Sequence, residues 1–233
     1  MFILIEHSAR QTSGPCDGPG TGEAQHMISQ SKTAGHTLDA RQAADKITAT
    51  QREQRNGHRG LVIWLTGLSG AGKTTIATEL ERQLFNEGKH TYLLDGDIVR
   101  HGLCSDLDFS AAARRENIRR AGQVAALFAD AGVIVIAAFI SPSRADREGV
   151  RHMLSPGRFI EVFVNAPLEI CEQRDVKGLY AKARANQIKE FTGVSAPYEA
   201  PQNPEIELHT DLTTPQEAVA HIVDYLHRAN DRG

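Results

Sequence analysis

A chain of 233 residues with 26 basic and 29 acidic side chains carries a formal net charge of −3, which excludes a nucleic-acid binder held by bulk positive charge. Its length suits one α/β domain with an extension, and no apolar run approaches the ~18 residues of a membrane span. Three widely spaced cysteines, Cys16, Cys104 and Cys171, form no C-x-x-C pair and read as reduced thiols of a cytoplasmic protein.

Residues 1–57 read as an N-terminal extension. Gly, Ser, Thr, Gln and His dominate it, and Gly14-Pro15 and Gly18-Pro19-Gly20 break any regular element. Too little apolar surface is present to offset ordering entropy, so 1–36 reads as largely disordered. The opening Met1-Phe2-Ile3-Leu4-Ile5 lacks a basic start and is not read as a signal peptide. Residues 38–55 read as a polar helix anchored by Leu38 and Ile47, either packed on a neighbouring subunit or solvated.

From Arg59 the pattern alternates between strand and helix. The apolar run 61–66 stops at Gly67-Leu68-Ser69-Gly70-Ala71-Gly72-Lys73-Thr74-Thr75, which fits the phosphate-binding pattern G-x-x-x-x-G-K-[ST] between a strand and a helix. Glycines let successive amides curl toward phosphate oxygens, and the helix start adds its positive end. Lys73 would reach the β- and γ-phosphates and Thr74 would ligate Mg²⁺, so the chain is expected to bind a nucleoside triphosphate. Ile76, Leu80 and Leu84 mark the following helix, which Gly88 ends. Further strands are expected at 90–94, 133–140, 159–164 and 205–208. A long helix at 110–131 carries Ile118, Ala121, Ala125 and Phe128 on one face, and Pro215 starts a last helix through His227. This alternation predicts a P-loop NTPase-type doubly wound parallel sheet in three α/β/α layers over residues 58–233.

Ligands of such a sheet bind at the carboxyl ends of its strands. The third strand ends Phe139-Ile140-Ser141 with no acidic residue, so the acidic function falls to Asp95 and Asp97 after the second. Two carboxylates a residue apart can divide the work of accepting a hydroxyl proton and holding Mg²⁺. Beyond them, Arg114 and Asn117 share a helix face; an arginine suits a phosphate or sulfate, and Phe109 offers a stacking surface. Arg115 and Arg120 read as a solvated face. Arg174, Lys177, Lys182 and Arg184 surround Gly178-Leu179-Tyr180, as either a cationic lid or a basic helix facing solvent.

The ordered set of these stretches, including Asp95-Gly96-Asp97-Ile98-Val99-Arg100, Asp108-Phe109-Ser110, Glu116-Asn117-Ile118-Arg119-Arg120, Lys177-Gly178-Leu179-Tyr180, Phe191-Thr192-Gly193-Val194 and Ala196-Pro197-Tyr198-Glu199, resembles the adenylylsulfate kinase (APS kinase) family from about residue 58 to 228. The resemblance implies ATP- and Mg²⁺-dependent phosphorylation of the 3′-hydroxyl of adenylyl sulfate in sulfate assimilation, in the cytoplasm, by a homodimer that engages neither nucleic acid nor membrane. It implies that the loop residues 67–75 and Arg174 bind ATP and that Thr74 and Asp95 hold the metal. Asp97 is then the base or hydroxyl-orienting group, assisted by Asp95. Arg100, Phe109, Arg114, Asn117, Ile140, Lys177 and Phe191 line the adenylyl sulfate pocket with Asp97, the two phenylalanines sandwiching the adenine. Lys73, Asp95, Asp97 and Ser141 make up the catalytic machinery, Ser141 matching a serine that the family describes as a phosphoenzyme intermediate. Ile98 departs from a common family asparagine, and no sulfurylase or GTPase domain accompanies the kinase, so a single activity is expected. A gluconate-like kinase lacks reason for the paired aromatic and arginine positions. A GTP switch needs an N-K-x-D motif that is absent, and a regulatory remnant would not need intact Lys73, Thr74, Asp95, Asp97 and Arg114.

Overall fold

The structure, a computed structural model, describes residues 46–230. The expected disorder of 1–36 and the 38–45 part of the expected helix lie outside the described residues. Five parallel strands form the sheet: β1 (Leu61–Thr66), β2 (Thr91–Asp95), β3 (Ile134–Ala138), β4 (Phe159–Asn165) and β5 (Ile206–His209), in the order β2-β3-β1-β4-β5. β1 is the centre, with Ile63 opposite Ile136 on one side and Ile160 on the other. All six of its residues are buried, and period-two alternation divides them between two cores. Leu61, Ile63 and Leu65 join Ile76, Leu80 and Leu84 of α2 (Lys73–Asn86) and Val219, Ile222 and Leu226 of α8 (Pro215–Asn230). Val62 and Trp64 join Ile118, Ala121 and Ala125 of α4 (Ala111–Asp130) and Val150 of α5 (Arg144–Arg151). Three layers result, as expected.

The chain steps from β1 to one edge, returns through β3, and then crosses to β4, so β1 ends at the topological switch point. Short helices close that end: α3 (Gly96–His101), α6 (Leu168–Arg174) and α7 (Leu179–Arg184). Side-chain caps set several boundaries. Ser110 Oγ accepts from Ala113 N at the start of α4, and Thr214 and Glu217 exchange bonds around the start of α8.

The most N-terminal described helix, α1 (Ala49–Asn56), starts at a Thr48–Gln51 capping box. It buries no residue, and polar bonds attach it to its own chain. Asn56 Nδ2 donates to Gly132 O at 3.0 Å, and Glu53 pairs with Arg158 and accepts from Gly60 N. The described compact unit begins at Lys46, and these polar bonds attach α1 to it. Next to it, His58 Nε2 accepts from His90 N at 3.0 Å while Nδ1 faces Arg59 O at 3.2 Å, which requires the neutral Nδ1-protonated ring. Burial lowers its pKa and favours that form.

Candidate active site

Side chains hold the loop after β1 carbonyl by carbonyl. Lys73 Nζ donates to Gly67 O at 3.0 Å and Leu68 O at 2.7 Å. Tyr180 Oη donates to Ser69 O at 2.9 Å, Arg174 reaches Gly70 O at 3.4 Å, and Thr210 Oγ1 donates to Ala71 O at 2.8 Å. Five consecutive loop carbonyls, 67 through 71, are each held by a side chain, and within the loop Ala71 N donates to Leu68 O at 3.2 Å. Gly67 is required here: a Cβ would stand 2.3 Å from Val164 O. Among the loop residues, Ala71 is sealed in the core, whereas Thr74 and Thr75 are exposed at the start of α2. Burial pulls the Lys73 ammonium down to about 8, with Asp95 and Asp97 among the charges that oppose the fall.

Asp95 closes β2 and caps α3, its Oδ1 accepting from Asp97 N at 2.9 Å. Its Oδ2 accepts from Thr74 Oγ1 at 3.0 Å, so the hydroxyl and carboxylate expected at the metal sit side by side. Mg²⁺ is bound through one or two protein oxygens with phosphates and water, and this pair fits that demand without a larger acidic cluster. No group of three or more metal-ligating side chains occurs among the described residues. Asp97 points elsewhere: it is exposed and paired with Lys177.

Around the opening of α4, Arg100 donates to Asp108 O at 2.9 Å and lies 4.4 Å from the Phe109 ring centroid. Phe109 is 63% exposed. Arg114 spans the opening: Nε donates to Phe109 O at 2.8 Å, while its terminal nitrogens donate to Thr192 Oγ1 at 2.7 Å and to Glu190 O. One guanidinium thus ties the Phe109 turn to the segment bearing Phe191. Phe191 is buried against Tyr180, with ring centroids 5.0 Å apart. Burial, then repulsion from Arg100, lowers the pKa of Arg114, so two cations crowd one place. Asn117, one turn along, is buried with Oδ1 unpartnered, and Ile140 is half-buried with its carbonyl accepting from Thr66 Oγ1 at 2.8 Å.

Ser141 stands apart. It is 2% exposed; its Oγ accepts from Trp64 Nε1 at 3.1 Å and donates to Thr66 Oγ1 at 3.0 Å. Thr66 in turn contacts Tyr198 Oη at 3.0 Å, and the Ser141 carbonyl accepts from Arg147 at 2.7 Å. The Ser141 hydroxyl is thus buried and bonded on both sides. Arg120 also corrects its sequence reading: it grips Asp106 through both terminal nitrogens and Glu116 through Nε, fixing the loop before α4. Arg115 is exposed and reaches Asp146 at 3.4 Å. Tyr180, Thr210, Arg147 and Tyr198 were not singled out as site residues by sequence reasoning, since each has a partner 52 to 139 positions away in the chain. Only Tyr180 and Tyr198 carried a signal, as members of quoted motifs.

A glycine-rich strand-to-helix loop with its carbonyls held, a buried lysine and a carboxylate beside the loop threonine define a P-loop kinase on a parallel sheet. The adenylylsulphate kinase family profile matches residues 59–209. An adenylyl-sulfate kinase of Enterobacter sp. is 62% identical over 162 residues, covering 70% of this chain and 81% of that protein. One from Staphylococcus haemolyticus is 56% identical over 181 residues, covering 78% and 91%. The structure of the Mycobacterium tuberculosis APS kinase in complex with AMPPNP and APS superposes with a TM-score of 0.69 at 45% identity, covering 72% of this chain and 98% of that one. The chain belongs to the adenylylsulphate kinase family.

Proposed function

We propose that this enzyme transfers the γ-phosphate of ATP to the 3′-hydroxyl of adenylyl sulfate, giving 3′-phosphoadenylyl sulfate for sulfate assimilation. The observation that carries the reading is that the phosphate loop meets the segment bearing Phe191, with Gly193 against Leu68, while Arg114 ties that segment to Phe109 and Arg100. In this reading residues 67–75 and Arg174 hold ATP. Asp97, Arg100, Phe109, Arg114, Asn117, Ile140, Lys177 and Phe191 hold adenylyl sulfate, the unpartnered Asn117 Oδ1 accepting one of its donors.

Phosphoryl transfer asks little covalent chemistry of the protein; catalysis is alignment plus charge stabilisation. Asp97, exposed at the start of α3, orients the acceptor hydroxyl and takes its proton. Lys73 and Lys177 bring positive charge to the oxygens between which the phosphoryl group passes. Thr74 and Asp95 would hold Mg²⁺, which neutralises phosphate charge when bound. The acidic partner pairs one residue with the metal and the other with the hydroxyl because Asp95 is already committed to Thr74 and the α3 cap. A cytoplasmic homodimer is proposed on the family resemblance. The buried free thiols Cys104 and Cys171 support a reducing compartment, and no described helix is long and apolar enough to cross a membrane.

The reading is tested by incubating purified protein with Mg²⁺-ATP and adenylyl sulfate and separating nucleotides: ADP release should depend on adenylyl sulfate, with 3′-phosphoadenylyl sulfate formed in equal amount. Absence of that product overturns it. In the same assay Ser141→Ala should turn over within about threefold of wild type while losing about 1 kcal/mol of stability, the scale of a buried hydrogen bond. A collapse of turnover with unchanged stability would instead support the phosphoenzyme role.

A further inference from the structure

One side chain of α7 joins the two halves of the site. Tyr180 is 2% exposed; its hydroxyl donates to Ser69 O in the middle of the phosphate loop, and its ring meets Phe191 edge-on at 78°. Of the four side chains that hold loop carbonyls, it is the one whose ring lies against the proposed adenine wall. Its own position is fixed by Asp175, whose carboxylate oxygens accept from Tyr180 N and Ala181 N, each at 3.1 Å. Burial pushes the phenol above its ordinary value, which keeps it a donor throughout the neutral range.

A second contact crosses the same joint. Gly193, two residues past Phe191, has φ +88° and lies so near the loop that a Cβ would stand 2.9 Å from Leu68 Cδ2. From there Arg114 carries the connection on through Thr192 and Glu190 to Phe109. Loop, Tyr180, Phe191 and Arg114 thus form one continuous set of contacts between donor and acceptor sites.

We propose that Tyr180 is a positioning residue that couples the two sites, so that a triphosphate in the loop tightens adenylyl sulfate binding and, by linkage, the reverse. Phosphate oxygens draw the loop amides inward, the Ser69 carbonyl turns with its peptide plane, and the Tyr180 ring follows onto Phe191. The inference rests on the acceptor-site reading above.

Calorimetric titration with Mg²⁺-AMPPNP and with adenylyl sulfate, each alone and in the presence of the other, tests it. Tyr180→Phe keeps the ring against Phe191 and deletes the bond to Ser69; it should reduce the coupling factor at least threefold while adenylyl sulfate alone binds within twofold of wild type. Tyr180→Leu, which also loses the ring contact, should weaken adenylyl sulfate alone by tenfold. A coupling factor unchanged in Tyr180→Phe overturns the inference, as does equal weakening of both ligands with coupling retained, the mark of a merely structural tyrosine. Failure of the wild-type protein to bind adenylyl sulfate at all sinks the acceptor-site reading instead, and is visible before any variant is made.

Discussion

Lys73→Met lowers turnover by about 10³-fold, roughly 4 kcal/mol of transition-state stabilisation, while leaving the fold intact. The lysine is the one cation built into the loop, held by the Gly67 and Leu68 carbonyls. Its pKa sets a second, pH-resolved expectation. Burial lowers the folded-state value to about 8 from an ordinary 10.5, so the charged form is the disfavoured one. Its cost to the unliganded fold is therefore full below pH 8 and fades between 8 and 10.5. Methionine removes that cost, so the variant should melt no lower than wild type at pH 7. Affinity runs the other way. Wild-type binding of Mg²⁺-ATP should weaken as pH rises through 8, because the phosphates lose a ready-made cation, and Lys73→Met should lose this inflection. A pH series of ATP dissociation constants with melting curves checks both halves; a variant that retains turnover would remove Lys73 from the reaction.

Arg147→Met should cost 3–5 kcal/mol or so, because it strands a buried carboxylate. Arg147 is 2% exposed and Glu161 8%. Arg147 Nε donates to Glu161 Oε1 at 2.6 Å, and its terminal nitrogens hold Ser141 O at 2.7 Å and Glu199 O at 2.8 Å. Removing it leaves Glu161 with Arg151 at 3.5 Å, already engaged by Glu205. It also frees Ser141, a non-glycine residue at φ 39°, from the contact that holds its backbone. For a unit of this size the loss should appear as a fall in Tm of about 10 °C. The double variant Arg147→Met/Glu161→Leu should regain most of it, since an apolar pair of similar volume avoids the desolvation of both charges. A double variant as unstable as the single one would show that the carbonyl bonds, not the ion pair, carry the stability.

The contrast between these two residues shows where the sequence was legible. Lys73 sits inside a local pattern, a β-branched run, a glycine turn and a helix, and each part of that pattern is dictated by neighbours in the chain. β1, α2, α4 and the parallel architecture were readable for the same reason: apolar spacing reports which faces are covered. Arg147, by contrast, lies in the charged α5 stretch Arg144-Ala145-Asp146-Arg147-Glu148-Gly149-Val150-Arg151, where no local pattern marks it, and its burial makes sense only once Glu161 is folded against it. α3 was hidden similarly, because Asp95-Gly96-Asp97 has the composition of a turn and became a helix start through the Asp95 cap. In the site, the residue types were visible and the family resemblance already put Thr74 and Asp95 together, but the pairing of Lys177 with Asp97 is a matter of three-dimensional proximity.

The first described helix carries a lesson about where this protein can be cut. The family match opens at residue 59, yet Glu53 supplies the carboxylate that faces Arg158 and the amide of Gly60. A protein cut at the start of the matched segment would keep every group assigned to chemistry and lose the brace at the entrance to its central strand. What is needed to recognise the enzyme and what is needed to hold it together are bounded by different residues.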